Sequence, residues 1–188
     1  MTVAVFCASS MPHNEAYVNA ARQLGTLLAA GRHTVVYGGS NLGLMGVVSD
    51  AAMQGGGHVV GIIPTLFSET IIQSQQVSEL IRVSSMAERK ERIMEMCDAF
   101  VALPGGIGTI DEVSEVMVMN QLQIVAGKRL LDGSYRQKPM ILLNVNGYYD
   151  PFLAQMSRVK EEGMLRSDCG LRVATTPEET LRLLCPTC

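Results

Sequence analysis

The chain has 188 residues, 47% of them hydrophobic and 18% charged, with 15 Lys+Arg against 18 Asp+Glu. That apolar fraction and low charge exclude an intrinsically disordered chain, and the near-balanced charge without a basic block argues against a nucleic-acid surface. Arg32, His33, Asp50 and Gln54 interrupt the most apolar stretches, so no run reaches the roughly 18–20 residues of a membrane span.

The opening stretch MTVAVFCASS has no basic region and no signal-peptide layout, so a cytoplasmic protein is expected. Short β-branched runs alternate with longer helical patterns along the chain. Strands are predicted at Thr2–Cys7, Thr34–Tyr37, Val59–Ile63, Ala99–Leu103, Met140–Val145 and Arg172–Ala174. Helices are predicted at Glu15–Ala30, Gly43–Gly55, Met86–Cys97, Ile110–Val125, Pro151–Glu162 and Pro177–Leu184. Several strands are apolar at nearly every position, as in strands covered on both faces. The alternation predicts an α/β fold: one doubly wound, mainly parallel sheet of Rossmann-like kind, with helices on both faces. Residues 1–188 read as a single domain, and ligands are expected beyond the carboxyl ends of the strands.

Two strand ends run into glycine turns, Tyr37–Gly46 (YGGSNLGLMG) and Leu103–Glu112 (LPGGIGTIDE). Glycine permits tight turns and close approach, and a following helix presents free N–H groups to an anion. Neither is a Walker A motif, and the first does not match G-x-G-x-x-G. Two such turns opening on one sheet edge point to a phosphate-bearing ligand.

In the segment Ser84–Cys97, Ser85 and Glu88 have capping-box spacing. Projected on a helix, Met86, Ile93, Met96 and Cys97 form an apolar stripe, and Arg89 falls inside it. An inward arginine must meet an anion, either a structural carboxylate or a ligand group. Thr109 and Glu112 also have capping-box spacing, so Glu112 is either a cap or a carboxylate facing the site. Proximity to a helix N-terminus is expected to keep it ionised, as suits a base or charge stabiliser. Asp111, about 100° around the helix, is expected to point elsewhere.

The paired motifs M-x-x-R-K at Met86–Lys90 and P-G-G-x-G-T-x-x-E at Pro104–Glu112 resemble the LOG ("lonely guy") family. Y-G-G-x-x-x-G-L-M-G at Tyr37–Gly46 and L-L-N-V-x-G-Y-Y-D-P at Leu142–Pro151 are also family-like, and the resemblance covers nearly the whole chain. It implies hydrolysis of the N-glycosidic bond of a purine nucleoside 5′-monophosphate, AMP or an N6-modified cytokinin-type AMP, giving free base and ribose 5-phosphate. It implies Arg89 and Glu112 as catalytic residues. Substrate and phosphate would be held by Gly105, Gly106, Ile107, Gly108 and Thr109, with Met86, Lys90, Gly39, Ser10 and Glu69. No cofactor or metal is expected. Some relatives carry the label "lysine decarboxylase", but none of Lys90, Lys128, Lys138 or Lys160 sits in a recognisable pyridoxal-phosphate motif. The alternative is a non-catalytic nucleotide- or cofactor-binding module resembling molybdenum-cofactor carrier proteins; the Arg89–Glu112 pair discriminates between the two. A nicotinamide-dependent dehydrogenase is disfavoured, because Cys7-Ala8-Ser9-Ser10 stands where G-x-G-x-x-G would follow the first strand.

Three features depart from the family pattern. Ala87 stands where His is usual, Glu69 is the nearest acid after the third strand, and Gln123–Lys138 is about ten residues longer than the expected linker. The helix from Ile110 carries Val113, Val116, Met117, Val118, Met119 and Leu122, an apolar surface too wide for one buried face, so a homodimer is expected. The five cysteines are odd in number and irregularly spaced, and Cys185/Cys188 reads as a reduced tail.

Overall fold

The computed structural model describes residues 1–67, 77–125, 137–165 and 168–184, with side chains on the helix ending at Val125 described as far as Leu122. The sequence-based candidates Glu69, most of Gln123–Lys138, and Cys185/Cys188 lie outside the described residues.

The elements in chain order are β1 (Thr2–Phe6), α1 (Glu15–Ala30), β2 (Thr34–Tyr37), α2 (Gly43–Gln54), β3 (Val59–Pro64), β4 (Glu79–Val83), α3 (Met86–Met96), β5 (Ala99–Ala102), α4 (Ile107–Val125), β6 (Met140–Leu143), a 3-10 turn (Val145–Gly147), α5 (Asp150–Glu161), β7 (Leu171–Ala174) and α6 (Pro177–Leu184). The seven described strands form one sheet in the order β4-β3-β2-β1-β5-β6-β7, and every pairing is parallel. The α/β, doubly wound expectation is met. No described helix is long and apolar enough to cross a membrane.

Alternation along the central strands builds two cores. Val3, Val5, Val35 and Val101 face α1, α2 and α6 through Leu24, Leu28, Val48 and Leu184. Ala4, Phe6, Phe100 and Leu142 face α3, α4 and α5 through Ile93, Val113, Met117 and Phe152. Burial on both faces is why these strands read as near-continuous apolar runs. β4 escaped the sequence reading because it is an edge strand: Glu79 and Arg82 are exposed and only Val83 is buried, so it lacks the apolar run.

The chain starts at the centre with β1, winds outward to β4, then crosses back to β5 beside β1. The loops after β1 and β5 therefore leave the sheet in opposite directions, opening a crevice between them at the carboxyl edge.

Candidate active site

A cavity of about 570 Å³ occupies that crevice. Its wall comes from the ends of β1 (Cys7, Ala8, Ser9, Ser10), β2 (Gly38, Ser40), β3 (Ile63) and β5 through α4 (Gly106, Ile107, Gly108, Thr109, Glu112), with Met86 and Arg89 reaching in from α3. Thus Ser10, Met86, Arg89, Gly106, Ile107, Gly108, Thr109 and Glu112 come together from three separate stretches of sequence. Gly39, Gly105 and Lys90 do not line the cavity.

Arg89 sits where its helical projection puts it. Ser85 caps α3 by accepting a hydrogen bond from the Glu88 N–H at 3.1 Å, while the Glu88 carboxylate reaches one residue further back, to the Ser84 N–H at 2.7 Å. This start sets the helix phase and turns Arg89 toward the sheet. There its Nε donates to the Ile62 carbonyl at 3.2 Å, and its Nη2 lies 3.1 Å from Glu112 Oε1. The two side chains are only 9% and 6% exposed. The anion that the inward arginine requires is thus a carboxylate of the chain itself. Gly38 makes room for it, because a Cβ there would run into the Arg89 guanidinium and displace it.

α4 begins at Ile107, three residues before the predicted start at Ile110. This removes Thr109 from the N-cap position and ends the capping-box reading of Glu112. Thr109 is instead buried in the first turn, its side chain packed where a Cβ on Gly105 would stand. The Thr109 and Ile110 N–H groups both bond the Gly106 carbonyl, at 3.0 and 3.1 Å. The N–H groups of Ile107 and Gly108 are the orphan donors of a helix start, and both residues face the cavity.

The first glycine turn differs. The Leu44 and Met45 N–H groups at the start of α2 bond the Ala8 carbonyl, at 3.0 and 3.4 Å. Gly43 has φ +58° and sits against the backbone of Ser9 and Ser10. This turn is therefore spent on packing the β1 loop, and its helix start is not open to an anion as the second one is. Gly39, with φ +77°, shapes the same turn against Ile63.

Helix-dipole proximity does not keep Glu112 at an ordinary carboxylate pKa. Burial pushes it up to about 7, against the opposing pull of Arg89. Desolvation outweighs the neighbouring cation because few polar groups replace water around the carboxyl: Oε1 accepts no well-aligned hydrogen bond among the described residues. Cys7 lines the same cavity, and burial followed by the Glu112 charge pushes its thiol far up, so it remains a protonated, inert group.

Lys90 turns away from the cavity. Its Nζ pairs with Glu115 Oε2 at 2.5 Å and Asp111 Oδ2 at 3.1 Å, bolting α3 to α4 alongside the Arg89–Glu112 pair. These bonds, Glu115 first, raise the Lys90 pKa. Asp111 is not remote from the site as its angular position suggests, since it also borders the cavity. Sequence reasoning missed the apolar wall formed by Leu42, Met45, Ile63 and Phe67. Its members lie in different elements, Met45 in α2, Ile63 in β3, and Leu42 and Phe67 in loops, with no shared period, so no local pattern marks them.

Among the described residues no cluster of His, Cys, Asp and Glu could hold a metal ion. Among the described residues no lysine lines the cavity, so these offer no amine for a pyridoxal aldehyde to join.

The family model described as "Possible lysine decarboxylase" matches residues 45–184. The chain is 38% identical over 175 residues to "Cytokinin riboside 5'-monophosphate phosphoribohydrolase LOG" of Oryza sativa subsp. japonica, covering 93% of this chain and 68% of that one. It is 38% identical over 184 residues to "Cytokinin riboside 5'-monophosphate phosphoribohydrolase LOG2" of Arabidopsis thaliana, covering 97% and 81%. Among solved structures, the molybdenum cofactor binding protein from Rippkaea orientalis superposes with a TM-score of 0.68 at 23% identity, covering 97% and 93% of the two chains. At that identity the likeness is one of fold.

Proposed function

The chain belongs to the LOG family of cytokinin riboside 5′-monophosphate phosphoribohydrolases, and on that premise we propose that it hydrolyses the N-glycosidic bond of AMP or an N6-modified AMP to free base and ribose 5-phosphate. The observation that carries this reading is the Arg89–Glu112 pair at 3.1 Å, set one turn into a helix whose first amides face the cavity. The 5′-phosphate binds at Gly106–Thr109, where the Ile107 and Gly108 N–H groups and the positive end of the α4 dipole receive its charge. Glu112, five residues beyond Ile107, is then close to the sugar.

Cleavage of the C1′–N9 bond develops positive charge on the ribose, as in other glycoside cleavages. Ionised Glu112 stabilises that charge in a water-poor site. It also orients a water whose oxygen bonds C1′ as the C1′–N9 bond breaks; one water proton passes to the carboxylate and from it to the departing base, which leaves neutral. A pKa of about 7 suits this exchange, since the carboxylate can accept a proton and release it again near neutral pH. Arg89 holds the carboxylate in place and opposes its protonation. The apolar wall of Leu42, Met45 and Phe67 offers a surface for the base and any N6 substituent.

A carrier of the same fold needs phosphate contacts but no buried carboxylate–guanidinium pair, so the pair weighs against that reading. The proposal includes one catalytic domain and a homodimer. Strands from Thr2 to Ala174 in a single sheet support the former. The latter is supported by Val118 and Leu122 on α4, which are 56% and 51% exposed beside half-exposed Met119. A cytoplasmic setting is supported by the buried thiols Cys7 and Cys97, neither of which is in a disulfide.

The test is chromatography of purified protein incubated with AMP and with N6-isopentenyl-AMP, alongside Arg89→Ala and Glu112→Gln. Base and ribose 5-phosphate should appear with wild type and with neither variant. Nucleotide binding without release would favour a carrier, and release surviving Glu112→Gln would remove the carboxylate from the mechanism.

A further inference from the structure

The motif at Leu142–Pro151 has no part in the chemistry above, yet the fold spends several specific contacts on it. After β6, the Asn144 carboxamide closes the turn: its Nδ2 donates to Asp150 Oδ1 at 2.8 Å, and its Oδ1 accepts from the Tyr149 N–H at 2.7 Å. Asn146 and Gly147 take left-handed φ values of 54° and 73°, and a Cβ on Gly147 would run into the Asp150 carboxylate. The turn presents two tyrosine rings edge to face, 5.1 Å apart. Tyr17 of α1 stacks edge-on against Tyr148 from the other side, at 5.4 Å.

Both hydroxyls reach the same short stretch of the glycine turn. Tyr148 Oη donates to the Gly105 carbonyl at 2.6 Å, and Tyr149 Oη donates to the Leu103 carbonyl at 2.6 Å. We propose that Tyr148 is a positioning residue that aims the Gly106 N–H of the Leu103–Thr109 turn into the cavity, with Tyr149 fixing the start of the same turn at Leu103, where Pro104 has no N–H to aim. The reason is peptide planarity. In a trans peptide the carbonyl of one residue and the N–H of the next point in opposite directions within one rigid plane. Holding the Gly105 carbonyl toward Tyr148 therefore turns the Gly106 N–H the other way, and Gly106 is a cavity-lining residue. Gly105 and Gly106 resist such a rotation less than other residues would, so an external anchor is needed. Burial keeps the Tyr149 hydroxyl protonated and therefore a donor.

This inference rests on the phosphate site proposed above. Tyr148 is 38% exposed and Gly105 is buried, so Tyr148→Phe keeps the ring stack and takes one hydrogen bond from the turn. Loss of one anchoring hydrogen bond should raise KM for the nucleotide, and Kd for ribose 5-phosphate measured by calorimetry, by about fivefold. The expected kcat stays within about twofold, and the melting temperature falls no further than for Tyr149→Phe. Tyr17→Phe, which keeps the stack without touching the turn, should match wild type. Tyr149→Phe should weaken binding in the same direction and also lower the melting temperature, because it strands a buried carbonyl. Wild-type binding of ribose 5-phosphate with equal binding by Tyr148→Phe would overturn the tyrosine inference alone. A wild type that neither binds ribose 5-phosphate nor releases base would overturn the phosphate site and this inference together.

Discussion

Replacing Glu112 by Gln should change how the stability of the protein depends on pH, by an amount the burial of this carboxyl sets. The unfolded chain gives up the Glu112 proton near 4.5, whereas the folded chain holds it to about 7. Between those values the folded state binds more protons, so stability is highest at low pH and falls as pH rises. The full effect is roughly 3 kcal/mol, at about 1.36 kcal/mol per tenfold change in proton affinity. Most of this falls between about pH 5 and about pH 8.5. No discount for solvent screening applies, because the side chain is only 6% exposed. The stranding of Arg89 in the Gln variant shifts stability by an offset common to all pH values, because arginine side chains do not deprotonate in proteins. Urea unfolding of wild type and Glu112→Gln at several pH values, compared as a difference, isolates the single carboxyl. Wild type should lose roughly 2–3 kcal/mol relative to the variant across the range. Parallel curves would mean that Glu112 titrates as an ordinary carboxylate and that Arg89, not desolvation, controls it. The same pKa should appear as the acid limb of kcat/KM in the active enzyme.

Three further outcomes follow from the geometry. Gly105→Ala and Gly38→Ala should each cut base release at least tenfold without abolishing folding, since one displaces Thr109 and the other the Arg89 guanidinium; progress curves and circular dichroism check both parts. Lys90→Met should lower the melting temperature by a few degrees, as loss of a partly exposed bridge worth about 1 kcal/mol implies. It should leave KM within about twofold, because the amine is bound to Asp111 and Glu115 and not to the cavity; a tenfold rise in KM would make Lys90 a substrate ligand. Val118→Glu with Leu122→Glu should convert a dimer to a monomer in sedimentation velocity, and a mass unaffected by these charges would place any interface elsewhere.

What could be read from the residues alone follows the reach of local rules. Fully apolar runs such as Val59–Ile63 and Ala99–Leu103 identified central parallel strands, because burial on both faces leaves no position for a polar side chain. Ser85 and the spacing of Met86, Ile93 and Cys97 identified the phase of α3, and the phase alone turned Arg89 inward. Edge strand β4 lacked that signature because one neighbour and one covered face permit charge. The start of α4 was misplaced for a related reason: Gly106 and Gly108 depress helix propensity locally, and packing of Thr109 against Gly105 overrides it.

The sequence by itself therefore determined the fold class, the two glycine turns and the inward arginine, since each depends on period and steric freedom within a few residues. Only the tertiary structure decided which anion Arg89 meets, which of the two helix starts stays open, and where the Glu112 proton sits. Those depend on distances between Ala8 and Leu44, Arg89 and Glu112, and Tyr148 and Gly105. These partners lie 36, 23 and 43 residues apart along the chain, and the winding of the sheet outward from β1 and back to β5 is what brings them together.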